Sequence, residues 1–411
     1  MTESILESPQ LERYADAITR SIALKRGDTI VVRGSPAARE LMLACAASAY
    51  RGGAHAVDLV VFDPLLMRAR LEHGRDGAVG VVTPWHKTRL RELMKPDAAE
   101  IFIHAESDPG FLDGIPQKRI TTEYARVAAQ TRAYRRASLD GRVRWTIADW
   151  PTDHWAKQVY PKLSATAGKR KLAQDLLWFC RLTDEDGPGS SGWMEHCRAV
   201  ARRSQKLTRL ALARVELRGP GTELETRLVP GTRWLGSLEK TEWGTTIATN
   251  IPSEETFTSP DANGTEGTFA CTFPLSFQGR VIEGLRGEFR NGRLVRLDAK
   301  RDADRDFVAS YIDSDPKNGR RLGELALVDA TSRIGQTGRI YYDTLLDENA
   351  AAHIAFGSGF GATRTEKPAR GLNKSAVHLD VMIGSPDFEV TGVTPKGRRV
   401  PVIRDGLWQI A

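Results

Sequence analysis

The sequence predicts two folds in series, an α/β N-terminal domain with a parallel sheet and then an α+β, sheet-rich C-terminal domain. Three observations predict this. Helix-like and strand-like apolar patterns alternate over roughly the first 160 residues. Residues 166–207 then keep helical spacing, broken by a polar Gly187-Pro188-Gly189 loop, and from residue 208 the apolar spacing changes to two. The expected division is therefore 1–165 for the α/β domain, 166–207 for connecting helices and 208–411 for the C-terminal domain.

Each element has a local reason. Ser8 opens a capped amphipathic helix with Leu11, Tyr14, Ala15, Ile18 and Ile22 on one face, and 29–32 is a β-branched strand. A helix over 37–50 ends at Gly52-Gly53, and 56–62 reads as a buried strand, completing a β-α-β unit of the kind that builds parallel sheets. Residues 101–104 and 143–148 are further short strands. In the connection Leu176, Leu177, Phe179, Met194, Cys197 and Val200 recur at helical spacing around the loop 184–192. Beyond it 210–217, 222–229, 281–289 and 294–297 alternate or run apolar, and Asn291-Gly292 is a type I′ hairpin signal.

Composition narrows the function classes. The chain is 41% apolar and 27% charged, ordinary for a globular protein. No apolar run approaches the roughly 20 residues of a membrane span, and the acidic start Met1-Thr2-Glu3-Ser4 is unlike a signal peptide. A cytoplasmic location and no membrane partner are expected. Cys45, Cys180, Cys197 and Cys271 lie too far apart for a C-x-x-C site and read as free thiols. The net charge is +7, but 59 basic residues are interleaved with 52 acidic ones, which argues against nucleic acid as a partner. No Gly-x-Gly-x-x-Gly follows a strand, so a dinucleotide site is not expected.

The chemistry gathers in the C-terminal half. His378 and Asp380 lie two residues apart in the apolar run Ala376-Val377-His378-Leu379-Asp380-Val381-Met382-Ile383, so both fall on one face of a strand. A structural His-Asp pair is one reading. His353, preceded by Ala350-Ala351-Ala352, and Glu324, embedded in Leu322-Gly323-Glu324-Leu325-Ala326-Leu327, favour another, because a buried carboxylate is costly without a partner and a cation satisfies all four groups together. Glu254-Glu255 adds a carboxylate pair whose side chains diverge if the segment is extended. That makes the C-terminal domain the metal-binding one.

Four separated segments are ordered in a recognisable way: Asn250-Ile251-Pro252-Ser253-Glu254-Glu255-Thr256-Phe257-Thr258, Arg320-Arg321-Leu322-Gly323-Glu324-Leu325-Ala326-Leu327-Val328, Asp343-Thr344-Leu345-Leu346-Asp347-Glu348-Asn349-Ala350-Ala351-Ala352-His353 and His378-Leu379-Asp380-Val381-Met382-Ile383-Gly384-Ser385. In this order they resemble the thermophilic-type metallo-aminopeptidase family, the leucyl aminopeptidases of the aminopeptidase T, aminopeptidase S and PepS type. Leu11-Glu12-Arg13-Tyr14-Ala15 and Trp155-Ala156-Lys157 look like N-terminal family segments, so nearly the whole chain aligns.

The resemblance implies a homodimer and two divalent metal ions per subunit, zinc, cobalt or manganese. Carried across, the ligands are a glutamate of the 254–255 pair, Glu324 as the bridge, His353, His378 and Asp380. Glu254 is preferred as the ligand and Glu255 as the base, although either order fits the sequence. Imidazole and carboxylate suit such ions, and coordination brings the pKa of water to around 7. The implied activity is metal-dependent hydrolysis of aminopeptidase type, with metal-bound hydroxide attacking an amide or related C–N bond of a peptide or other small substrate.

The chain departs from the family in two places. The family has a tyrosine seven residues beyond the histidine matched by His353, where this sequence has Phe360. Tyr341 and Tyr342 are candidates to replace its hydroxyl, although both read as strand residues. The stretch between His353 and His378 is short and basic, with Arg364, Lys367, Arg370 and Lys374 against Glu366. A solvated lid is one reading. The other gives Phe360, Arg364 and Arg370 to substrate binding and predicts an anionic or aromatic substrate. A related scaffold opens dihydroxypyridine rings with Fe(II) and dioxygen, and His353, His378 and Asp380 also match that two-histidine, one-carboxylate set, so a mononuclear Fe(II) ring-cleaving dioxygenase is the alternative.

Overall fold

The strands of the N-terminal region form one parallel sheet. The computed structural model describes residues 4–105, 109–278, 280–366 and 368–410, so Lys367 of the basic stretch lies outside the described residues. Thr29–Gly34 is flanked by Ala56–Val61 on one side and Ala98–His104 on the other, followed by Arg144–Asp149 and the two-residue strand Asn250–Ile251. The helix Ser8–Ser21 buries Tyr14, Ala15 and Ile18 of the predicted stripe, with Leu11 half-buried and Ile22 buried just past its end, and Ala17 is buried as well. Ala56–Val61 is not the buried strand its composition suggests: it is the sheet edge, and Leu59 and Val61 are exposed there with the adjoining Phe62, Leu65 and Leu66.

The chain divides into two compact units, 1–196 with 238–252, and 197–237 with 253–411. This differs from the three-part division at two points. The helix Ala165–Phe179 packs on Asp153–Val159 within the first unit and buries Leu172, Leu176 and Phe179, so it is core of that unit instead of a connection. Residues 238–252 return to the first unit because Asn250–Ile251 pairs with Ile147 and Ala148.

In the second unit an eight-stranded antiparallel sheet faces a five-stranded antiparallel one. The expected turn at Asn291-Gly292 is present, with φ of 50° and 71°, between Arg286–Arg290 and Arg293–Asp298. The predicted strand over 281–289 is two pieces, Arg280–Ile282 and Arg286–Arg290, parted at Gly284 with φ of 64°. The five-stranded sheet runs His378–Met382, His353–Gly357, Leu322–Leu327, Thr256–Thr258 and Leu235–Gly236. One face carries Leu325, Leu327, Ile354, Phe356, Leu379 and Val381 into a core shared with Leu217, Leu224, Phe269 and Phe289 of the larger sheet. Period-two alternation therefore commits the opposite face to something other than this core.

Candidate metal centre

That opposite face holds Glu324, His353, His378 and Asp380, four of the five predicted ligands. Glu324 stands opposite Ala355, which stands opposite Asp380, while Gly357 pairs with His378 and Ala326 with His353. Cross-strand partners share a face, so Ala355 lies beside Glu324 and Asp380, Gly357 beside His378, and Ala326 and Met382 on either side of His353, and the small residues leave room above the sheet. Two backbone features aim the groups. A register shift at Gly323 interrupts the Glu324 strand, and a Cβ there would lie 2.2 Å from the Ser358 carbonyl oxygen. Gly357 has φ of 95°, and a Cβ would lie 2.1 Å from the Val377 carbonyl oxygen.

Both imidazoles are oriented from behind. Nδ1 of His353 lies 3.2 Å from the Ala351 carbonyl and Nδ1 of His378 lies 3.2 Å from the Ser358 carbonyl, which turns each Nε2 towards the carboxylates. The hydroxyl of Tyr311 donates to the His378 carbonyl at 3.2 Å and steadies the start of that strand. Nε2 of His353 is 3.3 Å from Oε2 of Glu255, and Nε2 of His378 is 3.4 Å from Oε2 of Glu324 and 3.3 Å from Oδ1 of Asp380.

These residues form two groups that share one member. Glu255, Glu324 and His353 offer ligand atoms within 4.8 Å of one another, and so do Glu324, His378 and Asp380. Glu324 thus stands where a bridging carboxylate would. The structure brings Glu255 into the first group, whereas the main-chain N–H of Glu254 donates to Oδ1 of Asn349 at 2.7 Å. The main-chain contact of Glu254 does not decide between the two glutamates; Glu255 is the one whose carboxylate joins the first group.

The charge balance fits a cation. Burial pushes the Glu324 carboxyl up to about 7, with Glu255 and Asp380 adding to the rise. Burial alone would lower both histidines, yet the facing carboxylates outweigh it and hold His353 up to about 9 and His378 up to about 12. Burial likewise opposes ionisation of Asp380, but His378 and His353 keep it below its ordinary value. Oε2 of Glu255 and Oδ1 of Asp380 are buried oxygens whose facing groups are the imidazoles of His353 and His378 at 3.3 Å. Buried carboxylates and imidazoles gathered in this way form an N/O donor set that suits a divalent cation.

Two neighbours were not singled out from the sequence. Glu348, last residue of the short helix Thr344–Glu348, feels Asp380, Glu255 and Glu324, and burial together with those charges pushes its carboxyl well above the ordinary range. The signal was a further acid five residues before His353. Phe257 packs edge-on against Phe360 with ring centres 5.2 Å apart, and Phe360 in turn lies 5.6 Å from the His378 ring. Phe360 therefore lies beside His378. Arg364 is not free to meet a substrate: it is buried and donates to the carbonyls of Arg370, Thr363 and Pro260. The Arg370 side chain is exposed. Tyr341 and Tyr342 lie outside any strand; Tyr341 is buried and its amide is held by Asp347.

Comparison with known proteins agrees with this geometry. Residues 7–408 match the family described as thermophilic metalloprotease (M29). Aminopeptidase T of Thermus aquaticus is 32% identical over 403 residues, 96% of this chain and 97% of that protein. Aminopeptidase 2 of Geobacillus stearothermophilus is 32% identical over 408 residues, 97% of each. The solved structure of wild-type AmpT from Thermus thermophilus matches with a TM-score of 0.87 at 29% identity, covering 98% of this chain and 99% of that one. A likeness that spans both units, together with the two carboxylate-imidazole groups, means that this chain belongs to the M29 thermophilic metalloprotease family and is a metallo-aminopeptidase-like hydrolase.

Proposed function

We propose that the chain removes an N-terminal residue from a peptide or small amide, using a pair of divalent ions held by Glu255, Glu324, His353, His378 and Asp380. The carrying observation is the sharing of Glu324 between two ligand groups. Bound there, such ions supply Lewis acidity and lower the pKa of water into the neutral range. Glu348, whose carboxyl is pushed well above its ordinary range by burial and by Asp380, Glu255 and Glu324, is the acid of this chain suited to give a proton to the leaving amine. Phe257 and Phe360 form an apolar wall that excludes water and accepts an aliphatic or aromatic side chain next to the cleaved bond. With Arg364 committed to carbonyls, the support for an anionic substrate reduces to the exposed Arg370.

The ring-cleaving alternative requires His353, His378 and Asp380 to act as one set. Among the described residues the two histidines are instead divided between two groups, each with Glu324. The proposal includes a homodimer, supported by the exposed apolar edge of Leu59, Val61, Phe62, Leu65 and Leu66, which sedimentation equilibrium tests. The reading includes a cytoplasmic location, supported by cysteines that form no disulfide; among the described residues no helix is long and apolar enough to cross a membrane.

Paired glutamine variants test the ligand assignment. Glu255→Gln is expected to lose one of two bound ions and nearly all turnover on a leucyl amide, whereas Glu254→Gln keeps both ions. Loss of metal from Glu254→Gln with full retention by Glu255→Gln would reverse the assignment.

A further inference from the structure

We infer that the side-chain amide of Asn349 is a positioning residue that fixes the Glu254–Glu255 turn against the metal-binding strands; this rests on Glu255 being a ligand. Asn349 is fully buried, immediately after the helix Thr344–Glu348. Its Oδ1 accepts the Glu254 N–H at 2.7 Å, and its Nδ2 donates to the Leu345 carbonyl at 2.8 Å. With the NH2 group engaged by a helix carbonyl, the oxygen has to face Glu254, so the amide has one orientation.

The support behind Asn349 is equally specific. Its own carbonyl accepts from the Ser332 hydroxyl at 2.8 Å, and Ser332 also caps the turn Arg333–Gln336 by accepting from Gly335. Gly335 has no room for a side chain, since a Cβ would lie 2.2 Å from the Ala350 carbonyl oxygen. The main chain on either side of the amide is therefore held before the amide meets the turn.

The consequence is geometric. The Asn349 contact joins positions 95 residues apart in sequence. On one side is the turn that carries Glu255, whose Oε2 lies 3.3 Å from His353. On the other is the segment that carries Glu348 and runs directly into His353. A ligand constellation has to be held to about half an ångström, and residues behind the ligands do that. Asn349 is the side chain that ties these two parts of the site to each other.

Zinc titration of the full chain against a chromophoric chelator, with leucyl p-nitroanilide turnover and a thermal melt, tests this. Asn349→Ala is expected to weaken one of two zinc constants by about 10- to 100-fold, in line with the loss of a group behind a ligand, and to lower kcat with it while the melt stays cooperative. Asn349→Asp, which keeps an oxygen for the Glu254 N–H, should recover part of that affinity. Ser332→Ala removes the contact to the Asn349 carbonyl and the cap on Gly335 but leaves the Asn349 side chain in place, and should lower the melting temperature with both zinc constants unchanged. Wild-type zinc constants in Asn349→Ala, or an equal loss in Ser332→Ala, overturn the inference. If Asn349→Ala does not fold, Asn349→Asp decides it: zinc binding no better than in Ser332→Ala-matched melts predict from lost stability alone overturns it, and a selective loss at one zinc supports it. Wild-type protein that binds no zinc would instead overturn the ligand reading on which this rests.

Discussion

Phe360 and Asp347 show how single side chains tune this centre. A tyrosine at 360 would place a hydroxyl on a ring that already lies 5.6 Å from the His378 ring. If the missing donor limits the rate, Phe360→Tyr raises kcat/KM on leucyl amide by roughly 100- to 1000-fold, the range expected for one transition-state hydrogen bond; an unchanged rate in that variant would mean that another group already supplies it. Asp347 is a different case. Its Oδ1 accepts the Tyr341 N–H, its Oδ2 is buried without a partner, and burial, with Asp343 nearby, raises its carboxyl from 3.8 to about 8. A raised carboxyl keeps its proton in the folded state after the unfolded chain has lost it, so its contribution to stability is fully present below about 4 and is lost as the pH rises towards 8. Asp347→Asn keeps the acceptor without the charge. Its melting temperature should exceed that of the wild type at pH 8 and the gap should close towards pH 4; a gap that widens on acidification contradicts this.

At the scale of elements, the site depends on a three-strand register and two glycines. The face-sharing of His378 and Asp380 was legible because a strand repeats every two residues. Glu324 was legible as an acid in an apolar run, but the register shift at Gly323 that aims it was not, because a bulge depends on the partner strand. The choice between Glu254 and Glu255 is not legible either: an extended segment sends the two side chains apart, and the contact of the Glu254 N–H with Asn349, 95 residues away, leaves no sequence pattern. Glu348 escaped notice because it ends a short helix, where neither strand nor long-helix periodicity marks a facing side. Gly357 offers a direct test of the register. With φ of 95° and the Val377 carbonyl in the space a side chain would take, Gly357→Ala should cost several kcal/mol, roughly 2 to 4 for combined strain and overpacking, and should lower metal content because His378 is its cross-strand partner. Wild-type stability and metal content in that variant would show that the register tolerates a side chain there.

On the scale of the whole molecule, the α/β and sheet-rich classes were both legible from the change in periodicity, whereas the path between the units was not. Residues 238–252 join the first unit through a two-residue strand, too short to leave a pattern, and its parallel pairing exists only once Arg144–Asp149 is in place. The same separation confines the proposed ligands to the second unit, so one unit builds the complete ligand set from its own strands and turns. The most direct test is the metal content of the purified chain, measured by elemental analysis before and after chelation, with leucyl-amide turnover followed on adding metal back. Two divalent ions per chain, activity lost as they are removed, and recovery with zinc, cobalt or manganese is the predicted result. Full activity in metal-free protein, or a single oxygen-sensitive iron as the active species, would contradict it.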